Sequence, residues 1–249
     1  MFTAEGPSLR ELTAQALSSV ERGYDLLAPK FDHTPFRTPA PFLDAVAGAL
    51  APLGPFEAGL DVCCGTGAGI GVLRGLCRER VTGTDFSPGM LERARRAHPA
   101  AGSPAVDFVR ADARALPFDG GYDLAVSFGA FGHFLPAERP ALFAGVRRAL
   151  VPGGLFAVPI GAPPPPRSGL YWATLGFDAA MRVRNALWRP PFVMYYRTFP
   201  LGGVREDLRR AGFTVQLLPL ERFGRRPDGS PNWRLLLARA TEPPAQGLR

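Results

Sequence analysis

The chain has little of what disulfide-stapled or metal-dependent proteins use. Three cysteines occur in 249 residues, Cys63 beside Cys64 and Cys77 apart, which is neither a disulfide framework nor the paired spacing of a zinc site. The three histidines, His33, His98 and His133, are equally scattered, so no metal is expected. No apolar run approaches the roughly 20 residues that cross a bilayer, and the opening MFTAEGPSLREL has no apolar stretch of the signal-peptide kind. A cytoplasmic location is the expectation. Lysine is almost absent too: Lys30 is the only one among 29 basic residues, which exceed the 22 acidic ones to give a net charge of +7. Such an excess would suit nucleic acid, but the arginines come as doublets (Arg95-Arg96, Arg147-Arg148, Arg209-Arg210, Arg225-Arg226) and never as a run of five or six. An arginine-, alanine-, glycine- and proline-rich coding bias accounts for the balance, and a nucleic-acid partner is not expected.

What is present is the composition of a folded protein. A hydrophobic fraction of 46% with 20% charged residues excludes wholesale disorder, and a chain of this length buries roughly 70–75% of its unfolded surface. Ser8 and Glu11 have the spacing of a capping box, and Leu9, Leu12, Ala16, Leu17 and Val20 then fall on one helical face. A second helix is expected after Pro39 and Pro41, with Phe42, Val46 and Leu50 inward. From residue 57 the pattern alternates: strand 58–63, helix 69–77, strand 80–84, a helix capped by Ser87 with Pro88 at its first position, strand 105–109, strand 122–128, helix 140–150 and strand 155–160. Such alternation predicts a mostly parallel sheet covered on both faces. Four consecutive prolines, Pro163 to Pro166, break the rhythm. A helix over 201–211 closed by Gly212, strands over 215–223 and 233–240 joined by a turn at Pro227-Asp228-Gly229, and a frayed tail over 242–249 complete the chain.

One segment carries chemistry. In Leu60-Asp61-Val62-Cys63-Cys64-Gly65-Thr66-Gly67-Ala68-Gly69, a strand runs through a glycine-rich turn into a helix. A second acid, Asp85, ends the next strand 20 residues after Gly65 (85 − 65), the distance at which a carboxylate meets ribose hydroxyls. An adenosine-containing ligand across the carboxyl ends of the strands is implied. A dinucleotide site would carry its third glycine at position 70, where Ile70 stands instead. Asp61 would repel a pyrophosphate and attract a cationic ammonium or sulfonium. Both features favour S-adenosylmethionine over NAD.

At these residues the chain resembles the class I S-adenosylmethionine-dependent methyltransferases. Residues 60–67 resemble their first motif and Gly83-Thr84-Asp85-Phe86-Ser87-Pro88-Gly89-Met90-Leu91 their second. The segments 111–118, 122–127 and 148–154 resemble the three that follow in order. One departure is Cys63, where the family usually has glycine. The resemblance implies a Rossmann-like α/β fold: a mostly parallel seven-stranded sheet with helices on both faces and an antiparallel hairpin at its C-terminal end. It further implies one domain over 1–249, with an N-terminal helical cap (1–55), a cofactor-binding core (56–160), a lid over the acceptor (161–200), and a helix and hairpin (201–241).

By the same resemblance, Asp61, Cys63, Gly65 and Gly67 would hold the methionine part of S-adenosylmethionine, and Asp85 its ribose. Phe86 and Met90 would sandwich the adenine, with Asp112 and Ala113 at its amino group. Ser127 and Phe128 would lie near the sulfonium, and Tyr24 would approach the cofactor from the N-terminal cap. His133 is the histidine placed to act as a base, and Asp123 reads as a turn residue. Position 127 opens Ser-Phe-Gly-Ala rather than the Asn/Asp-Pro-Pro-aromatic pattern of enzymes that methylate exocyclic amines, so a small-molecule acceptor is expected. Trp172, Phe177, Trp188 and Tyr195 are the candidate walls of the lid, an aromatic surface that would serve equally as a homodimer contact. An NAD-dependent oxidoreductase and a non-catalytic S-adenosylmethionine-binding protein are the competing readings.

Overall fold

Seven short apolar runs find one another in a single sheet. The protein, seen in a computed structural model that describes residues 5–197 and 199–242, begins with helices α1 (Leu9–Ala16), α2 (Val20–Leu27) and α3 (Ala40–Leu50). Strand β1 (Phe56–Val62), helix α4 (Ala68–Leu76), β2 (Cys77–Asp85), α5 (Pro88–Ala97), β3 (Ala105–Arg110), β4 (Tyr122–Val126), α6 (Arg139–Ala149) and β5 (Leu150–Gly161) follow. Helices α7 (Gly169–Leu187) and α8 (Leu201–Arg210) precede the strands β6 (Phe213–Pro219) and β7 (Trp233–Ala240). The strand order is β3-β2-β1-β4-β5-β7-β6. The first five strands run parallel, and β7 is antiparallel to both β5 and β6, as expected for this end of the sheet.

Each face of the sheet has its own core. On one, Leu142, Phe143 and Val146 of α6 and Val204 and Leu208 of α8 pack on Leu60, Phe156 and Leu236. On the other, Val46 and Leu50 of α3 and Ile70 and Leu73 of α4 cover Val81, Leu124 and Leu235. With β1 and β4 in the middle, the order of strands reverses between them. That places the ends of β1, β2 and β4 around one crevice, where open α/β sheets take their ligands.

Several boundaries differ from expectation. Cys77 opens β2 instead of closing α4, β4 stops at Val126, β5 runs back through Pro152-Gly153-Gly154 to Leu150, and β6 ends at Pro219. Ser8 and Glu11 do form the capping box, but Leu9 of α1 is exposed and Gln15 is the buried residue. Asp123 is no turn residue: from β4 its carboxylate accepts hydrogen bonds from the Glu57 N–H at 2.7 Å and the Ala58 N–H at 2.9 Å, fastening the start of β1. The stretch after the four prolines is built around the 19-residue helix α7, capped by Ser168. Of the tail expected over 242–249, residues 243–249 lie outside the described residues.

Candidate active site

Asp61, next to last in β1, lies between Gly83 of β2 and Val126 of β4. This central place leaves it 1% exposed. Neither carboxylate oxygen has a hydrogen-bond partner; the Gly69 amide approaches without closing a bond. Burial first, and the charge of Asp85 second, push this carboxyl well above its ordinary range, with the Gly69 amide pulling the other way. A buried carboxylate left this way is costly unless a ligand supplies the missing donors or cation.

Past Val62 the chain turns through left-handed backbone at Cys63 (φ 60°), Gly65 (φ 54°) and Gly67 (φ 95°), and Gly67 caps α4. Gly69, in the first turn of α4, faces Asp61 across a gap that leaves no room for a side chain. A Cβ there would run into Asp61 Oδ2 and stand 2.9 Å from Phe128 Cδ2. Asp85 closes the other side. Its Oδ2 accepts from the Gly65 N–H at 3.0 Å and its Oδ1 from the Ser87 N–H at 2.9 Å. Burial still raises its carboxyl to about 6, against the pull of the Ser87, Gly65 and Phe86 amides, with Asp25 adding a smaller push upward.

The N-terminal cap grips this turn from above. Asp25 of α2 accepts from Ser87 Oγ at 2.5 Å and from the Gly89 N–H at 2.9 Å, at the start of α5. Asp32 accepts from Thr66 Oγ1 at 2.8 Å and faces Arg37 and Arg93. Tyr24 is brought over the crevice by these anchors; burial, then the charge of Asp85, raises its phenol. Asp25 and Asp32 were not among the residues singled out from sequence. Their signal lies in Tyr24-Asp25 and Phe31-Asp32, but only the fold shows that they reach the turns that follow β1 and β2.

Phe86 is half-buried just after β2, and Met90 is fully buried in α5. Asp112 caps the short 3-10 turn Ala113–Ala115, and both of its oxygens are held by the Arg114 guanidinium at 2.6–3.0 Å. That pair lowers the Asp112 carboxyl. Ala113 is buried beneath it. Ser127, beyond the end of β4, donates its hydroxyl to the Val62 carbonyl at 2.7 Å, tying the ends of β4 and β1 together. Phe128 packs beside Gly69.

His133 sits in a 3-10 turn, Phe131–His133. Its Nδ1 lies 2.7 Å from the Val193 carbonyl, and its Nε2 2.7 Å from Tyr24 Oη. A carbonyl only accepts, so Nδ1 carries the proton and Nε2 accepts from the Tyr24 hydroxyl. Burial lowers the imidazole against the opposing Val193 bond, which keeps it neutral near pH 7. The segment after α7 is pinned to this turn by the Tyr195 N–H to the Gly132 carbonyl at 2.8 Å. Of the expected lid walls, Phe177 and Tyr195 gather with Met181, Phe192 and Tyr24 in a small apolar cluster. Trp172 and Trp188 are instead exposed.

Cys63 holds a left-handed φ that costs a non-glycine residue about 1–2 kcal/mol. Burial and then the Asp85 charge raise its thiol far above the ordinary value, so it is protonated and unreactive. Cys63→Gly should therefore be more stable than Cys63→Ala by about 1 kcal/mol, read from chemical unfolding of the two variants. Equal stabilities would mean the turn stores no strain there.

Comparison with known proteins returns methyltransferases. A family model described as "Methyltransferase domain" matches residues 60–154. An uncharacterized methyltransferase of Synechocystis sp. is 31% identical over 165 residues, spanning 66% of this chain and 69% of that protein. The phthiotriol/phenolphthiotriol dimycocerosates methyltransferase of Mycobacterium leprae is 37% identical over 100 residues, but the match covers 39% of this chain and 35% of that one. The structure of human N-acetylserotonin methyltransferase in complex with SAM superposes with a TM-score of 0.60 at 18% identity, over 95% of this chain and 60% of that one; at that identity the likeness concerns the fold.

Proposed function

Since the chain belongs to the class I S-adenosylmethionine-dependent methyltransferases, we propose that it methylates a small-molecule acceptor held between the glycine turn and the Tyr24–His133 pair. The observation that carries the reading is the buried Asp61 carboxylate with two partnerless oxygens. S-adenosylmethionine offers what those oxygens lack: an ammonium and a sulfonium, with hydroxyls for Asp85. A nicotinamide dinucleotide would bring phosphates to the same carboxylates, and Coulomb repulsion in a buried site disfavours that.

In this reading Asp61 and the backbone at Cys63, Gly65 and Gly67 would hold the methionine portion, and Asp85 the ribose. Phe86 and Met90 would flank the adenine, with Asp112 and Ala113 at its rim, while Ser127 and Phe128 would close the sulfonium end. When bound, the cofactor supplies an electrophilic methyl group, so the chain's own task is alignment and exclusion of water. The apolar cluster of Phe177, Met181, Phe192 and Tyr195 provides the dry wall.

The Tyr24–His133 pair would take the proton of a protic acceptor. The proton given up by a protic acceptor would pass to Tyr24 Oη. The Tyr24 proton moves to His133 Nε2, which already accepts it in a hydrogen bond. The Val193 carbonyl holds the imidazole in the tautomer this requires. His133→Ala should slow turnover by about 10²–10³-fold, within the usual range for losing a general base, and leave S-adenosylmethionine affinity near that of the parent. Tyr24→Phe should show the same split if the phenol relays the proton. A His133→Ala enzyme as fast as the parent in a methyl-transfer assay would remove the base role.

A further inference from the structure

One face of α7 has no partner within the described residues. Trp172, Leu175, Ala179, Val183, Ala186 and Leu187 recur along it at helical spacing, with Trp172 62%, Val183 59% and Leu187 81% exposed. The opposite face packs Phe177 and Met181 against Tyr24 and Tyr195. The apolar strip continues past the helix: Trp188 is also exposed, and its Nε1 donates to the Leu17 carbonyl at 3.2 Å, setting exposed Leu17 beside it. Soluble surfaces seldom leave such a strip bare.

The charges around it point to the occupant. Between Gly161 and Arg197 the sequence has five arginines and one acid, Asp178. Asp178 is buried and occupied by the N–H groups of Tyr196 at 2.7 Å and Arg197 at 3.1 Å. Arg167 and Arg189 are exposed just before and just after α7, and Arg182, exposed on the helix, has its guanidinium over the Tyr195 ring at 4.8 Å. A second copy packed here by two-fold symmetry would bring the same arginines together from both sides, with Asp178 already occupied as the one acid between residues 161 and 197. An anionic bilayer answers them with its headgroups and accepts the apolar strip below. Tryptophans at both ends of the helix suit the headgroup level. Among the described residues no helix is long and apolar enough to cross a membrane, so α7 would lie along the surface.

We propose that the outer face of α7 docks the protein on anionic lipid bilayers. Its inner face borders the Tyr24–His133 pair, so the docked enzyme would meet acceptors dissolved in the lipid layer; that consequence rests on the proposed function, whereas docking itself does not. The test is cosedimentation of the full chain with phosphatidylcholine–phosphatidylglycerol vesicles and with pure phosphatidylcholine vesicles. Binding should be at least about tenfold tighter to the anionic vesicles. Arg167→Gln with Arg189→Gln should weaken it by about tenfold, and Trp172→Ser with Leu187→Ser should abolish it. Circular dichroism and S-adenosylmethionine titration verify that the variants remain folded, and the vesicle readout stands whether or not any methyl transfer is found. Absence of binding to anionic vesicles, or variants that bind like the parent, would overturn the proposal. So would a solution dimer dissociated by Leu187→Ser in a chain that ignores vesicles, which would assign the face to a second copy.

Discussion

Asp85→Ala is expected to weaken S-adenosylmethionine binding by about a hundredfold in calorimetric titration, the loss of about 2–3 kcal/mol from one or two charge-assisted hydrogen bonds. The carboxylate already accepts from the Gly65 and Ser87 amides, and a carboxylate has room for further donors beside them. Asp85→Asn keeps one acceptor oxygen and should fall between the parent and the alanine variant. Affinity unchanged in both would remove Asp85 from the cofactor's site.

The same carboxylate gives this binding a pH signature. Burial raises it from the ordinary 3.8 to about 6, so across that window the folded protein holds a proton that the unfolded chain has released. The stability this group contributes is full below 3.8 and is lost as pH rises through about 6. Ligand hydroxyls need the ionised form as acceptor. S-adenosylmethionine affinity should therefore rise across the same window and level off above it, while the ligand-free protein loses stability from this group. An affinity independent of pH through the window would show that Asp85 does not ionise to bind.

The second large effect belongs to Gly69. A methyl group there would strike Asp61 Oδ2, held within central strand β1, and crowd the Phe128 ring at 2.9 Å. Gly69→Ala should lower unfolding stability by about 1–3 kcal/mol, the usual cost of overpacking. It should also reduce S-adenosylmethionine affinity by about a hundredfold, because α4 must move off the carboxylate. Gly75→Ala in the same helix meets nothing within 4 Å and should instead stabilise by about 0.5–1 kcal/mol. If Gly69→Ala behaves like Gly75→Ala, the close packing of α4 on Asp61 is not needed.

Parts of this arrangement were readable because they follow from local rules. Strand, glycine turn and helix are adjacent in the chain, and in a parallel sheet successive strands end on the same side, so Asp61 and Asp85 had to meet. Gly69 was visible as a glycine one place short of the dinucleotide pattern, but its reason, the space Asp61 needs, is a contact between a helix and a strand end. Helix α7 is not legible in the sequence because both its inner and outer faces are apolar, which weakens the 3.6-residue period that marks an amphipathic helix. The ends of α4 and β4 fall one and two residues before the expected positions 77 and 128, because short apolar runs do not say where pairing stops. Leu9 shares one apolar helical face with Leu12 and Ala16 by pattern yet is exposed, since only neighbouring elements decide whether such a face is covered.

What the chain's order of residues determined by itself was the alternation of elements, the parallel sheet with its terminal hairpin, and the two acids at the glycine turn, since each depends on residues near one another in sequence. Tertiary structure alone decided which polar groups meet across the chain. It set Asp25 on Ser87, Asp32 on Thr66, and His133 between Tyr24 and Val193. Such pairs join positions up to 109 residues apart, and no local preference encodes a hydrogen bond whose two ends are brought together only by packing on the sheet.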